Sequence, residues 1–235
     1  MAKKQQTRLA LFVGDKGGVG KSFVASLYVD RLLADSRDVV IVDTDQRNPD
    51  VSRRFSEVPG VSIERVPLAE KGGVMDLLTI VSQATPGSTI VVSTPAGICA
   101  SLVHEHDAIV EGLRELKVPL HVVWPIDRLA DSINLLRIFL ESFHADLERL
   151  LVVRNGFFGA TEAFARWSQS ETRRRVLGQT GAVETYLPEL HSRIVDAVAD
   201  VPFSRGEELL KFGERMEMRR WLREAHSVFN ALEVG

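Results

Sequence analysis

The amino-acid sequence predicts an α/β fold, in which a doubly wound, mostly parallel sheet carries helices on both faces and the chain ends in helices. Three observations support this prediction. Short apolar runs alternate with segments of helical apolar spacing through the first two-thirds of the chain, as a parallel sheet with crossover helices requires. The apolar runs are continuous rather than alternating, which suits strands covered on both faces. The 235 residues are 45% hydrophobic and 26% charged, an ordinary composition for one globular domain.

The strands and helices of the sheet are predicted in chain order from their apolar patterns. The first two strands, 9–13 and 39–42, are uninterrupted apolar runs, and the segment between them, 22–34, has the apolar spacing of a helix. The same criteria predict further strands at 62–66, 89–92, 120–124 and 150–153, and helices at 74–83, 104–116 and 131–147.

The last third of the chain is predicted to be mainly helical. Helices are expected at 161–177, 190–199, 206–212 and 214–232, with one short strand at 183–186. No linker rich in Pro, Gly or Ser separates this part from the sheet. We therefore expect a single domain, 1–235, with a core at 8–205 and C-terminal helices, 206–235, packed on it.

Charge, cysteine content and hydropathy exclude several classes of protein. The net charge of −3 gives no overall attraction to nucleic acid, so DNA binding would need a local basic patch. Cys99 is the only cysteine, which excludes an intrachain disulfide and suits a reducing compartment. No apolar run approaches the ~18–20 residues that cross a bilayer. Asp15 and Lys16 interrupt the apolar stretch behind the basic N-terminus, which is therefore not expected to be a signal peptide. We expect a cytoplasmic protein without a membrane span.

A glycine-rich loop connects the first strand to the first helix and predicts a phosphate-binding site. Residues 14–22 read Gly-Asp-Lys-Gly-Gly-Val-Gly-Lys-Ser. Glycines allow a tight turn and close approach of the backbone, whose N–H groups, with the helix N-terminus, can cradle phosphate oxygens. Lys21 can reach the β- and γ-phosphates, and the Ser22 hydroxyl is placed to bind Mg²⁺. The predicted ligands are a nucleotide with β- and γ-phosphates, which the resemblance described below implies is ATP, and Mg²⁺. The predicted nucleotide-binding residues are Gly17, Gly18, Val19, Gly20, Lys21, Ser22 and Phe23.

Two carboxylates follow the second predicted strand. Asp43 and Asp45 stand at a strand end, where ligands of open α/β sheets bind. With Ser22 they are the predicted metal site, because Mg²⁺ prefers carboxylate, hydroxyl and phosphate oxygens. The alternative is a polar turn in which Asp and Asn side chains only bend the chain.

The phosphate loop departs from the standard pattern in a way that points to a family. Asp15 replaces the first glycine, and a second lysine, Lys16, follows it. The resulting sequence Lys-Gly-Gly-Val-Gly-Lys-Ser resembles the deviant Walker A loop of the ParA/MinD family of P-loop ATPases. The resemblance implies an ATP-dependent homodimer in which Lys16 reaches the partner's nucleotide. It also implies that Lys21 and Asp45 are catalytic, Asp45 by positioning the hydrolytic water.

Two further stretches are similar to motifs of this family. The run Ile-Val-Val-Ser-Thr-Pro-Ala-Gly at 90–97 resembles Walker B and switch II, but Ser93 occupies the position of the metal-associated Asp. We therefore expect weak Mg²⁺ binding and slow hydrolysis. Asn155 matches the family's adenine-contacting Asn, and Pro202 falls near the segment that lines the base. The alternative for Asn155 is a simple Asn-Gly turn.

Short stretches at 43–50, 152–159 and 214–221 resemble ParA-like proteins of conjugative and mobilisable plasmids. This resemblance implies a role in plasmid partitioning, stability or conjugative mobilisation, with non-specific DNA and a centromere-binding or relaxosome protein as partners. The candidate DNA contacts are the arginines of 173–175 and of 215–223, although solvated helix faces often carry such runs. Ser93 supports an alternative of another class, a nucleotide-gated scaffold with little hydrolysis that binds a relaxase or a membrane partner.

Overall fold

The computed structural model describes residues 6–14 and 16–233, which form one seven-stranded sheet. The strand order is β3-β2-β4-β1-β5-β6-β7, and every neighbouring pair is parallel. This confirms the predicted doubly wound, parallel sheet. The strands are β1 Arg8–Phe12, β2 Val39–Asp43, β3 Val61–Arg65, β4 Thr89–Ser93, β5 Leu120–Ile126, β6 Leu147–Asn155 and β7 Ala182–Leu187.

Helices connect the strands and cover both faces of the sheet. The α-helices are α1 Lys21–Ala34, α2 Asp50–Phe55, α3 Gly73–Gln83, α4 Cys99–His104, α5 His106–Glu115, α6 Ala130–Phe143, α7 Ala165–Gln169, α8 Glu171–Leu177, α9 Ser192–Ala197, α10 Phe212–Ser227 and α11 Asn230–Glu233. Short 3₁₀ helices occupy Gly156–Phe158, Thr161–Phe164 and Phe203–Leu209.

Each face of the sheet has its own apolar core. Helices α3 to α8 cover one face, where Trp124, Phe139 and Trp167 are fully buried. Helices α1, α2, α9, α10 and α11 cover the other face, which buries Tyr28 and Phe229. The chain leaves β1 toward β2 and β3, returns to pair β4 with β1, and then continues to the other side through β5. This reversal beside β1 creates the crevice in which sheets of this kind bind ligands.

Several predicted helices differ from the observed ones. The predicted helix 104–116 is confirmed as α5, although its first residue, His104, belongs to the preceding helix α4, which was not predicted. The predicted helix 131–147 ends at Phe143, because Leu147 already pairs with Leu120 of the neighbouring strand. The long predicted helix 161–177 is a 3₁₀ turn followed by two short α-helices, and the predicted helix 206–212 is replaced by the 3₁₀ helix Phe203–Leu209. Helix α2 escaped prediction because six residues are too few for a periodic signal.

Helices α10 and α11 contact the phosphate-loop helix α1 and the start of the sheet. The buried Asp30 carboxylate of α1 accepts hydrogen bonds from Ser204 Oγ at 2.7 Å and His226 Nε2 at 3.2 Å. The Glu233 carboxylate of α11 accepts from Arg8 NH1 at 3.1 Å and Tyr28 OH at 2.9 Å, and Arg37 NH1 also donates to it. The division of the domain at residue 205 stays a prediction, and residues 234–235 lie outside the described chain.

Candidate nucleotide-binding site

The loop between β1 and α1 has the backbone conformation that a phosphate cradle needs. Gly18 and Gly20 have φ of +77° and +94°, which residues with a Cβ adopt at a cost. A Cβ on Gly18 would meet no atom within 4 Å, so the loop surface there is open to a ligand. Gly20 is the N-cap residue of α1 and has no side chain to accept the first-turn N–H groups. Asp15 lies outside the described residues.

Lys21 is buried in this loop, and its ammonium group donates to the Lys16 carbonyl at 3.2 Å. The buried ammonium group and the N-terminus of α1 are both positive, so together they attract an anion. Ser22 and Phe23 follow in the first turn of α1. The loop therefore combines open backbone, a helix N-terminus and a buried ammonium, which together fit a polyphosphate.

The second lysine of the loop forms an ion pair with a residue that sequence analysis did not identify. Lys16 Nζ lies 2.7 Å from Asp127 Oδ2, directly after β5. The other carboxylate oxygen accepts from Ser132 Oγ at 2.6 Å and from the Leu129 N–H at 2.9 Å. Burial by itself would raise the pKa of Asp127, but the hydrogen bonds from Lys16, Ser132 and Leu129 outweigh it and hold the pKa below its usual range.

The ends of β2 and β4 bring Asp43 beside Ser93. The two residues are register partners on neighbouring strands, and the Thr44 hydroxyl donates to the Ser93 carbonyl at 2.9 Å. The buried Asp43 carboxylate accepts the N–H of Ser52 at 3.1 Å and the N–H of Asp45 at 3.3 Å. Burial raises the pKa of Asp43 above its usual range, against the opposing effect of these N–H groups. Ser93 carries no charge, but the carboxylate of Asp43 lies beside it on the neighbouring strand.

Asp45 holds a polar turn. Its Oδ1 accepts hydrogen bonds from the N–H groups of Arg47 and Asn48, both at 3.0 Å. The turn that sequence analysis gave as the alternative is therefore present. Because both bonds end on Oδ1, the other oxygen can still accept a hydrogen bond from water.

A cavity of about 300 Å³ adjoins the phosphate loop. Asn155, at the end of β6, lies between the cavity and the phosphate loop. Its Nδ2 donates to the Val19 carbonyl at 3.0 Å, and its Oδ1 accepts the Phe157 N–H at 3.1 Å. Asn155 thus makes the predicted Asn-Gly turn and also contacts the phosphate loop. The cavity is lined by Gly18, Gly20, Phe23, Asn155, Phe157, Pro188, Glu189, Leu190, Ser192, Val195 and Asp196.

The structure does not bring Pro202 to this cavity. Among the described residues, the lining on that side comes from the chain between Pro188 and Asp196, directly after β7. Pro202 instead precedes the 3₁₀ helix Phe203–Leu209, whose first residue packs edge-on against Phe23 at a ring distance of 5.0 Å. The proline that lines the cavity, Pro188, directly follows the last strand, and its position could have indicated this because ligands of such sheets bind at strand ends.

The donor set fits a magnesium ion only together with a nucleotide. Within residues 6–14 and 16–233, no group of three or more His, Cys, Asp or Glu side chains could hold a metal ion. The metal ligands expected from the sequence, Ser22 in the first turn of α1 and Asp43 and Asp45 at the end of β2, stay a prediction and would supply few protein oxygens. This is the usual situation for Mg²⁺, which takes one or two protein oxygens and completes its shell with phosphates and water.

The chain is similar to a known protein over almost its whole length. No protein-family model matches the chain. Protein MobD of Acidithiobacillus ferrooxidans is 31% identical to it over 225 residues, which cover 94% of this chain and 96% of MobD.

Solved structures share the fold at low sequence identity. The septum site-determining protein MinD of Pyrococcus horikoshii, complexed with Mg-ADP, has a TM-score of 0.55 and 14% identity over 95% of this chain and 96% of its own. A McdA variant of Cyanothece in complex with ATP has a TM-score of 0.56 and 12% identity over 100% of this chain and 98% of its own. At these identities the likeness establishes the fold alone. In the described part of the chain, no helix has the length and apolarity to span a bilayer.

Proposed function

The chain belongs to the family of protein MobD and has the fold of the ParA/MinD-type P-loop ATPases, and from this premise we propose that it is an ATP-dependent dimerisation switch. It binds and hydrolyses ATP and acts in plasmid DNA partitioning, stability or conjugative mobilisation. The observation that carries the proposal is the phosphate loop: open left-handed glycines, a buried Lys21 and an adjoining cavity.

The proposed nucleotide lies along the loop with its base in the cavity. Lys21 and the loop N–H groups hold the phosphates, as a helix N-terminus and a buried ammonium favour. Phe23 and Phe157 offer apolar walls for the base, and Asn155 fixes the turn between base and phosphates. Ser22 and Asp43 would hold Mg²⁺, which neutralises phosphate charge when bound.

Asp45 is proposed to orient the attacking water through Oδ2, the oxygen that the turn leaves available. Ser93 can hydrogen-bond a water molecule but contributes no charge. Asp43, its register partner, is the nearest carboxylate on the neighbouring strand. With fewer charges near the metal, we expect hydrolysis to be slow.

Dimerisation is proposed to use Lys16. In the single chain Asp127 holds the Lys16 ammonium at 2.7 Å. In the proposed dimer Lys16 leaves this carboxylate and reaches the partner's nucleotide, whose phosphates offer more negative charge. The exposed apolar side chains Leu129 and Phe157 follow β5 and β6 at the same end of the sheet, where a second copy would cover them.

The proposed DNA contacts are non-specific and rest on fewer arginines than the sequence offers. Arg173 is engaged by Glu184 through its Nε at 2.9 Å and its NH2 at 2.6 Å, so the exposed Arg174 and Arg175 remain for phosphates. We also propose that a centromere-binding or relaxosome protein is the partner, and that the protein acts in the cytoplasm.

The test is ATP turnover by the purified protein with Mg²⁺, with and without plasmid DNA. The switch predicts slow turnover that rises with DNA and is lost in Lys21→Ala. Tight ATP binding without turnover in both conditions would instead support a nucleotide-gated scaffold, the alternative that Ser93 favours. Absence of ATP binding would refute both.

A further inference from the structure

The surface around the start of α10 exposes large apolar side chains that the proposed nucleotide cycle does not use. Phe212 is 70% exposed, Leu209 is 57% exposed and Met216 is 39% exposed. Phe212 and Met216 are four residues apart on one helix and therefore lie on the same side of it. The opposite side of α10 buries Met218 and Trp221 against the domain. We call Leu209, Phe212 and Met216 the α10 apolar patch.

The backbone that carries the patch is firmly held. The Lys211 N–H donates to Glu214 Oε2 at 2.9 Å, which caps the first turn of α10. Arg219 Nε donates to Glu207 Oε1 at 2.8 Å and ties the preceding 3₁₀ helix to α10. Leu210, between two patch residues, is buried. The exposed side chains therefore project from fixed positions rather than from a loop that could fold away.

The charges beside the patch are unbalanced in favour of cations. Glu207 is paired by Arg219 and Glu214 by Arg193. In residues 203–216 as the structure describes them, Arg205, Lys211 and Arg215 have no ion pair within 4 Å, against Glu208 alone among the acidic residues. The segment that carries the patch thus has three cations outside ion pairs against one such carboxylate, in a chain whose net charge is −3, and Arg215 also attracts Glu207 at longer range.

We infer that this surface is a docking site for an acidic, apolar-faced helical segment of a partner protein. Apolar anchors surrounded by a charged rim are the arrangement of protein–protein contact sites, and the cations select a partner of opposite charge. Nucleic acid would use the cations but leave Leu209 and Met216 without a partner, because phosphates offer them no apolar contact. A membrane would require a larger apolar face than three side chains on a helix whose other side is buried.

The α10 apolar patch is connected to the proposed nucleotide site through one contact. Arg193 of α9 lies 3.4 Å from Glu214 of α10, and Ser192 and Asp196 of the same helix line the cavity. A segment docked on the patch would therefore lie next to Glu214, whose ion pair with Arg193 connects α10 to the helix that lines the proposed base site.

The test measures binding of defined probes by fluorescence anisotropy. The probe is a labelled helical peptide of about four turns, with leucines along one face and glutamates elsewhere. The control probe has lysine in place of every glutamate. A duplex DNA and vesicles containing phosphatidylglycerol complete the set. We expect the acidic peptide to bind and the basic peptide, DNA and vesicles not to bind at this surface.

Matched variants distinguish specific binding at the patch from non-specific binding elsewhere on the surface. Phe212→Ala should weaken binding of the acidic peptide about tenfold or more, as loss of an aromatic anchor does. Met75→Ala, which shortens a side chain that is 69% exposed on α3, should change it less than about twofold. Arg215→Glu should weaken binding strongly and Arg174→Glu on α8 should not. Because Phe212 is exposed, the unfolding midpoint of each variant should match that of the unaltered protein.

Three outcomes would overturn the inference. One is equal binding of the acidic and basic peptides, and another is unchanged binding in Phe212→Ala. The third is DNA or vesicle binding that Phe212→Ala abolishes, which would assign the surface to that other class of partner. All binding is measured without nucleotide, so the result does not depend on whether the protein binds or hydrolyses ATP.

Discussion

Replacing Gly20 by alanine should destabilise the protein through a contact that its neighbour Gly18 lacks. Both glycines have positive φ, and placing an alanine in that region costs about 1–2 kcal/mol. At Gly20 the added Cβ would also lie 2.4 Å from Asn155 Nδ2, whereas at Gly18 it meets nothing within 4 Å. The buried Asn155 side chain would have to move and lose its bonds to Val19 and Phe157.

The expected magnitudes follow from this difference. Gly18→Ala should lower the free energy of unfolding by about 1–2 kcal/mol, from backbone strain alone. Gly20→Ala should lower it by about 2–5 kcal/mol, because unsatisfied buried polar groups add about 1–3 kcal/mol. Urea unfolding of the nucleotide-free protein measures both values.

A double-mutant cycle isolates the Asn155 contact. In the Gly20→Ala, Asn155→Ala double variant the clash is absent, so its destabilisation should be smaller than the sum of the two single values. Equal losses for Gly18→Ala and Gly20→Ala, or strict additivity in the cycle, would refute the argument that Asn155 requires a glycine at position 20.

Three further predictions concern the charged residues of the site. Lys16→Ala should retain ATP binding but lose ATP-dependent dimerisation in sedimentation, while the exposed Lys71→Ala should dimerise normally; dimerisation of both would exclude the role of Lys16. Asp127→Asn should lower the free energy of unfolding by about 1–3 kcal/mol at pH 7. Because the folded pKa of Asp127 lies below its unfolded value, this contribution is present above the unfolded pKa, about 3.9, and is lost as pH falls below it. The difference in stability between the variant and the unaltered protein should therefore shrink as the pH is lowered below that value, and a constant difference would contradict the ion pair. Ser93→Asp should raise ATP turnover about tenfold by restoring a charge near the metal, and unchanged turnover would mean that Asp43 already suffices.

The phosphate loop could be predicted from the sequence because its signal is contiguous. Glycines, lysine and serine stand in one short stretch between an apolar run and a helix, so no tertiary information is needed. The sheet was predictable for a similar reason, since each buried strand leaves a local apolar run. The carboxylate Asp43 was found because it directly follows such a run.

The residues that escaped prediction depend on strand order or on weak local signals. Asp127 meets Lys16 only because β5 lies next to β1, which the sequence does not reveal. Ser52 contacts Asp43 from a helix too short to predict. Pro202 was proposed from the resemblance alone, and Pro188, directly after β7, lines the cavity instead.

The contact between Glu233 and Arg8 has a consequence for the order in which the chain can fold during synthesis. It joins residues 225 positions apart, and the helices that lead to it complete the core on the α1 face. Until the ribosome has released α10 and α11, Phe23 and Tyr28 of α1 lack their neighbours Trp221 and Phe229, although the opposite face of the sheet can already close. A chain that stops before Phe212 would therefore keep Tyr28 without its Phe229 neighbour and expose apolar surface that promotes aggregation. The core on the α1 face is therefore completed last, when α10 and α11 pack on the domain.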